Sequence, residues 1–329
     1  MQTRKLGYSD LNLSTVGLGT WAMGGGGWQW GWGSQEDAES IAAIRRGLDL
    51  GINWVDTAAA YGLGHSEEVL AKALEGRRQE VIVATKCGMV WDENDGDRFG
   101  KPLRFCLERE SVRRECETSL RRLNTDVIDL YQIHWPNDEE HLEEGWSAIA
   151  DLIKEGKVRY AGLSNTTITQ MERLQAIAPI ASLQPPYSMV RRDIEAEILP
   201  FCAANHIGVL VYSPMQAGLL TGKLTRAWVA SLPDDDWRKT KSPGFQEPQL
   251  SANIALVDRL RAIAARSGRS VADLAIGWVL RRPEVTSAIV GARRPSQIEE
   301  TAAGGDWPLS DEATAEIEEL LNQRLSAIA

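Results

Sequence analysis

Eight short runs rich in β-branched residues recur along the chain, each followed by a stretch of helical period. No other feature constrains the fold as much. The runs are "STVGLGT" (14–20), "NWVDTA" (53–58), "VIVATKCG" (81–88), "VIDLYQIH" (127–134), "VRYAGLSN" (158–165), "ASLQPPYS" (181–188), "GVLVYSPM" (208–215) and "VTSAIVGA" (285–292). Strand-then-helix units imply parallel strands joined by crossover helices. Eight is the number that closes such a sheet on itself. The expected fold is therefore α/β, a (β/α)8 TIM barrel, with an open doubly wound sheet as the structural alternative. A length of 329 residues suits one such barrel with additions, read as a single domain over 1–329.

The intervening segments carry helix signals. "SQEDAESIAAIRRGLDLG" predicts a helix with a Ser cap, acidic residues in its first turn and an end near Gly51. "HSEEVLAKALEG" offers Ser66 as cap and Gly76 as stop, and 193–208 reads as a further helix. Ahead of the first unit, "TRKLGYSDLNLS" has a turn signal at Tyr8-Ser9-Asp10 and predicts a small hairpin capping one barrel end. Two departures follow the seventh strand: a long Pro-, Asp- and Lys-rich stretch that includes 227–249, read as a loop, and then two helices instead of one. A last helix, "SDEATAEIEELLNQRL", ends the chain.

A formal net charge of -10 argues against a general nucleic-acid or anionic-membrane surface and fits small-molecule partners. Cys87, Cys106, Cys116 and Cys202 form no CxxC and have no close His partner, so they read as reduced thiols of a cytoplasmic protein, with no metal expected. The N-terminus has no apolar core of a signal peptide, and no apolar run is long enough to span a bilayer. Oligomeric state is left open by these features.

Active sites of α/β barrels lie at the C-terminal ends of the strands. There the second strand ends in Asp56, with Tyr61 in its loop; the third in Lys86; the fourth in His134 and Trp135; the fifth in Ser164 and Asn165. The sixth carries Gln184, the seventh Tyr212, and the eighth runs into Gly291, Ala292 and Arg293. Each has an ordinary reading alone: a loop-capping Asp, a snorkelling Lys, a core His, a surface Tyr. Titratable groups at three successive strand ends suggest a coupled set. Asp56 would hold Lys86 charged, and Lys86 would lower the Tyr61 phenol from its ordinary value near 10. His134 would donate to an oxygen gaining negative charge. That describes a general acid beside an oxyanion site, suited to carbonyl reduction if something supplies hydride.

The motifs "VDTAAAYGLGHSEE", "VATKCG", "LYQIHWP", "YAGLSN", "LQPPYS", "YSPMQAGLLTGK" and "VGARRPSQIEE" resemble, in order and spacing, those of the aldo-keto reductases over nearly the whole chain. The likeness is greatest to the bacterial short-loop branch, near glyceraldehyde-type reductases and channel β-subunit relatives. It implies an Asp56–Tyr61–Lys86–His134 tetrad with Tyr61 as general acid. It implies a nicotinamide carboxamide held by Ser164, Asn165 and Gln184, with Tyr212 stacked beneath the ring. The pyrophosphate would lie on backbone around Ser213, Met215, Gly218 and Leu219, with Lys223. The adenosine phosphate end would meet Gly291, Arg293 and Gln297, with Glu300 at the adenine. Thr301 departs from the Asn that the family motif usually carries after this Glu. No GxGxxG lies between a strand and a helix; "GGGG" at 24–27 precedes a Trp-rich run and lacks that spacing.

A 2′-phosphate calls for a guanidinium, and Arg293 directly after the strand is the stronger candidate, with Arg294 beside it. The cofactor expected is NADP(H), with NAD(H) as the second choice. Trp28, Trp30 and Trp32 after the first strand lie at the mouth or pack as a hairpin on a neighbour, and Trp135, directly after His134, is the firmer wall of a pocket for small carbonyls with an apolar or aryl part. The function expected is NADPH-dependent reduction of small aldehydes, with ketones as a further class. The alternative is a nicotinamide-binding, redox-sensing barrel that regulates a partner as channel β-subunits do. A third reading makes Lys86 a Schiff-base lysine of a lyase, which a charged ammonium opposes.

Overall fold

The computed structural model of the chain describes residues 1–92, 101–234 and 236–328. In chain order it opens with a hairpin, β1 (Thr3–Lys5) and β2 (Asn12–Ser14). Then come β3 (Val16–Gly19), α1 (Asp37–Asp49), β4 (Trp54–Asp56), α2 (His65–Ala73) and β5 (Ile82–Cys87). A short antiparallel pair, β6 (Met89–Val90) and β7 (Arg104–Phe105), precedes α3 (Arg109–Leu123). Next are β8 (Ile128–Ile133), α4 (Leu142–Lys154), β9 (Val158–Ser164), α5 (Ile168–Gln175), β10 (Ser182–Gln184), α6 (Ile198–Ala204) and β11 (Gly208–Val211). Two short helices, α7 (Arg226–Ala230) and α8 (Trp237–Thr240), lead to α9 (Gln249–Arg266) and α10 (Val271–Leu280). The chain closes with β12 (Val285–Gly291), α11 (Pro295–Ala302) and α12 (Asp311–Ile328).

Strands β3, β4, β5, β8, β9, β10, β11 and β12 pair in that order, all parallel, and β12 returns to β3 to close the barrel. The expected (β/α)8 barrel is thus the observed fold, and the doubly wound alternative falls. Strand β10 stops after three residues because Pro185 and Pro186 follow and cannot donate to a ladder.

Period-2 alternation sends side chains alternately into the barrel and out to the helices. Outward residues such as Val55, Val83, Cys87, Tyr131 and Ile133 pack on the helix layer. Inward residues Trp54, Ala84, Leu130, Leu210 and Ile289 form a second, smaller core with Leu6, Leu11 and Leu13 of the hairpin. The hairpin therefore plugs the N-terminal end, as its turn signal predicted. Trp54 fills that end, and Gly17 makes room for it: a Cβ on Gly17 would lie 2.0 Å from the indole.

Three helix starts differ from expectation. The α1 cap position is Glu36, with no side-chain cap bond, while the Ser34 carbonyl accepts from the Arg293 guanidinium. Ser66 lies inside α2, and its hydroxyl donates 2.7 Å to Thr20 Oγ1 instead of capping. The helix predicted over 193–208 shrinks to α6, which starts just ahead of Pro200, where a missing N–H costs no helix bond. The long stretch after β11 is not a bare loop, since Thr225 and Asp236 cap α7 and α8. All four cysteines are buried and unpaired. Among the described residues no helix is long and apolar enough to cross a membrane.

Candidate active site

The apolar floor gives way to polar groups two residues further along the same strands. On β4, Trp54 and Asp56 both point inward; on β5, Ala84 and Lys86; on β8, Leu130 and Gln132. The turn after β4 uses three buried alanines, 58–60, then brings its backbone onto the loop after β3. Gly62 has φ +60, and a Cβ there would meet the Gly24 carbonyl oxygen at 2.1 Å. Small residues thus let the loop fold down tightly enough to present Tyr61 over the strand ends.

Lys86 Nζ spends its three protons on Asp56 Oδ2 at 2.6 Å, the Thr57 carbonyl at 2.8 Å and Tyr61 OH at 3.1 Å. Lys86 and Asp56 are both almost wholly buried. Burial alone would push the ammonium pKa down; the Asp56 charge and the Tyr61 phenol outweigh it, and the net direction is up. A fully bonded ammonium has no lone pair for addition to a carbonyl, which removes the Schiff-base reading.

Tyr61 departs from expectation. Lys86 does favour the phenolate, but burial acts more strongly and Asp56 adds to it, so the phenol pKa is raised. Tyr61 is therefore a protonated acid whose oxygen already accepts from Lys86, leaving its own O–H free to donate outward. His134 packs edge-on against the Tyr61 ring, centroids 5.6 Å apart. Burial, then the Lys86 charge, holds its imidazole pKa well below the ordinary 6.5. At neutral pH it is uncharged and keeps one ring N–H. Its backbone N–H donates to the Cys87 carbonyl at 3.0 Å.

Ser164, Asn165, Gln184 and Tyr212 meet beside this group. Ser164 Oγ donates to the Gln184 carbonyl at 2.9 Å, and Tyr212 OH donates to Asn165 Oδ1 at 2.9 Å. Asn165 Nδ2 donates to the His134 carbonyl at 3.2 Å. Gln184 faces inward as well as toward this cluster: its Nε2 donates to Asp56 Oδ1 at 2.8 Å. After β11 the backbone turns sharply, with positive φ at Ser213, Gln216, Ala217 and Gly218. Met215 precedes that turn and the buried Leu219 closes it, its backbone N–H donating to the Gln216 carbonyl at 3.1 Å. Lys223 is paired with Glu300 at 2.7 Å.

At the end of β12, beyond the exposed Gly291, Arg293 Nε donates to Gln35 Oε1 at 2.5 Å and its Nη2 to the Ser34 carbonyl. Its backbone N–H donates to Gln297 Oε1 at 2.7 Å. Burial, then repulsion from Arg294 and Arg238, lowers the Arg293 pKa. Arg238, which sequence reasoning missed, lies 4.9 Å over the Trp32 ring and 5.3 Å over Trp228. The indole N–H groups of Trp32 and Trp237 are buried without an acceptor among the described residues. Arg238 is already held on the Asp236 carboxylate, Nη2 to Oδ2 at 2.6 Å, and its Nη1 reaches the Ala217 carbonyl of the turned backbone at 3.4 Å, so cationic groups gather beside that turn.

The tryptophans divide. Trp28 is buried, with its ring 6.2 Å from that of Tyr61 and that of Trp30 edge-on to it. A groove of about 460 Å³ opens here, lined by Gly27, Trp28, Gln29, Lys101 and Pro102. Trp32 turns away to Trp21 and Arg238. Trp135 is exposed at the rim, so Trp28 is the indole that contacts Tyr61.

A neutral imidazole and a protonated phenol, backed by a carboxylate-held ammonium at the open end of an eight-stranded barrel, make a site that can exchange a proton with a carbonyl or alcohol oxygen. The chain belongs to the aldo/keto reductase family, whose model matches residues 15–322. It is an oxidoreductase of that nicotinamide-using family. It is 38% identical to the aldo-keto reductase YhdN of Bacillus subtilis, over 99% of this chain and 95% of that one. It is 34% identical to the NADH-specific methylglyoxal reductase of Escherichia coli, over 94% and 95% of the two chains. The structure of glycerol dehydrogenase AKR11B4 from Gluconobacter oxydans superposes with a TM-score of 0.89 at 37% identity, covering 98% of this chain and 96% of that one. AKR11C1 from Bacillus halodurans gives 0.80 at 27%, covering 97% and 96%.

Proposed function

We propose that the protein reduces small aldehydes to alcohols with NADPH, Tyr61 supplying the proton. The observation that carries this is the Tyr61 O–H, kept protonated by burial while its oxygen is held by Lys86. A nicotinamide held at this mouth would supply the hydride for the carbonyl carbon. Tyr61 donates to the carbonyl oxygen, and the adjacent ammonium stabilises the phenolate left behind. Neutral His134 orients that oxygen through its ring N–H. Asp56 keeps Lys86 aimed and charged. Ser164, Asn165 and Gln184 hold the carboxamide, and Tyr212 supports the ring. Backbone around Ser213, Met215, Gly218 and Leu219, with Lys223, takes the pyrophosphate. Arg293 and Gln297, with Gly291, take the adenosine phosphate end and Glu300 the adenine. Trp28 walls the substrate, with Trp30 and Trp135 around the mouth, whereas Trp32 belongs with Arg238.

The choice of NADPH rests on Arg293 and the adjacent Arg294 at the end of β12, where a 2′-phosphate would find a guanidinium partner, with Arg238 already paired to Asp236. The Escherichia coli relative is named as NADH-specific, so the preference is a property to measure in this chain. Methylglyoxal and glycerol in the relatives' names favour small oxygenated substrates. The test is nicotinamide absorbance with purified protein, either cofactor and a panel of small aldehydes. Aldehyde-dependent consumption that prefers NADPH is the expected result. Tight cofactor binding without turnover would overturn it and favour the redox-sensing reading.

A further inference from the structure

Inside the barrel, one layer beneath Tyr61, the carboxylate of Asp56 has two faces. Oδ2 takes the Lys86 ammonium at 2.6 Å. Oδ1 takes Gln184 Nε2 at 2.8 Å and Gln132 Nε2 at 3.4 Å. The second Gln184 proton turns to Gln132 Oε1, also at 3.4 Å. Both amides are buried, Gln132 at 0% exposure and Gln184 at 3%. An ionised carboxylate only accepts, so both amides must turn their nitrogens to Oδ1, and this fixes which end of each amide faces where. Gln132 has a further constraint. It stands on β8 opposite Lys86 on β5 in register, and its backbone carbonyl faces the Cys87 thiol. Nothing in the proton-transfer step above requires a second amide there, and an apolar residue would suit the barrel interior better.

We infer that Gln132 and Gln184 form an amide brace that positions Asp56: it holds Oδ1, so that Oδ2 stays on Lys86 and Lys86 stays on Tyr61. Gln132 touches neither substrate nor cofactor and acts through Asp56 alone. A carboxylate gripped on one oxygen only could swing about its Cα–Cβ and Cβ–Cγ bonds. Gripped on both, it fixes the ammonium to the few tenths of an ångström that proton transfer requires. Gln184 is also the residue proposed to meet the carboxamide, so the brace ties the ring site to the acid.

This inference rests on the proposed role of Tyr61, and the experiment separates the two. The protein is assayed with its best aldehyde and cofactor from pH 5 to 9 as wild type, Tyr61→Phe, Gln132→Leu and Gln132→Glu. Loss of turnover in Tyr61→Phe upholds the acid, whatever the glutamine variants do. For the brace, Gln132→Leu is expected to lower kcat about ten-fold at every pH, with KM for the cofactor unchanged within two-fold. Gln132→Glu is the sharper probe. A protonated carboxyl can still donate to Asp56 Oδ1, whereas an ionised one repels it. Its kcat should therefore stay near wild type at the acid end and fall at least ten-fold as pH rises, a limb that wild type and Gln132→Leu lack. Melting curves at both ends of the range show that the same folded protein is being compared. Wild-type kcat and a wild-type pH profile in both glutamine variants would overturn the inference, as would a cofactor KM that rises in step with the loss of kcat.

Discussion

The two ends of the barrel differ by a single side-chain layer and do opposite work. The lower layer of Trp54, Ala84, Leu130, Leu210 and Ile289 is apolar, capped by the hairpin leucines and sealed from water. Two residues on, the same strands carry Asp56, Lys86 and Gln132, each buried and each with a polar partner. Strand β4 has only three residues and serves both layers, with Trp54 below and Asp56 above. The lower layer can therefore act as a rigid floor, and the upper layer can hold a buried ion pair whose desolvation cost is offset by its 2.6 Å contact and by further bonds to the Thr57 carbonyl and from Gln184. Rate should depend on one end and stability on the other, and substitutions can break that division.

The largest effect is expected at the open end. Tyr61→Phe removes the acid and leaves the ring packed between Trp28 and His134. Turnover should fall by about 10³-fold, within the range for a lost general acid, while cofactor affinity and melting temperature stay near wild type. Steady-state kinetics beside a cofactor fluorescence titration checks both; normal turnover would end the assignment. Trp54→Ala tests the closed end. It empties the space against Gly17 and breaks indole bonds to the Ser14 carbonyl at 3.1 Å and Ser287 Oγ at 3.0 Å. About 3–5 kcal/mol of stability should be lost, as for other buried Trp→Ala changes, measured by denaturant titration. The kcat of the protein that remains folded should change less than three-fold. A large loss of kcat would mean that the floor and the site are not separable.

This layering also explains what the sequence could tell. The strands were legible because β-branched runs and their spacing follow from the pleat, and the Asp56, Lys86 and His134 positions follow from where those runs stop. Inward polar Gln132 was open to the same reasoning, two residues before His134 on an alternating strand, but a glutamine within a strand carries no signal of its own. Arg238 had less to offer, since it sits in a polar stretch and is brought to Trp32 only by the fold. The Tyr61 phenol was misjudged in direction because the Lys86 charge is visible in a motif, whereas the depth of burial that outweighs it belongs to the tertiary structure. The two Ser caps fail for different reasons: α1 begins after Glu36, two residues beyond Ser34, whereas Ser66 lies inside α2 and spends its hydroxyl on Thr20.

A smaller effect is expected at the rim, where Arg293 serves two ends. It ties the loop after β3 through Gln35, Ser34 and Trp32, and it stands among like charges that a 2′-phosphate would relieve. Arg293→Ala should raise KM for NADPH about ten-fold, near 1.4 kcal/mol, and leave KM for NADH within two-fold. Equal losses with both cofactors would assign the guanidinium to loop anchoring alone.

The smallest effect separates the ends by pH. The lower layer contains no titratable side chain, so acid sensitivity of the barrel interior should originate at the mouth. His134 is the group to watch, since its folded pKa lies well below the 6.5 of the unfolded chain. Below that value the unfolded state binds a proton that the folded imidazole refuses. The stability it allows is therefore full above about pH 6.5 and is lost as pH falls. Each pH unit below 6.5 would cost at most 1.36 kcal/mol for one group; with one side of the ring open to the mouth, about 1 kcal/mol between pH 6.5 and 5 is the expected share. Surface His141 shifts the other way beside Asp138, so wild type alone gives a mixed slope. The difference between wild type and His134→Gln isolates the term: the variant should lose less stability than wild type over that interval in urea titrations. Identical slopes would mean that the imidazole gains its proton without cost, and that the upper layer is wetter than its packing indicates.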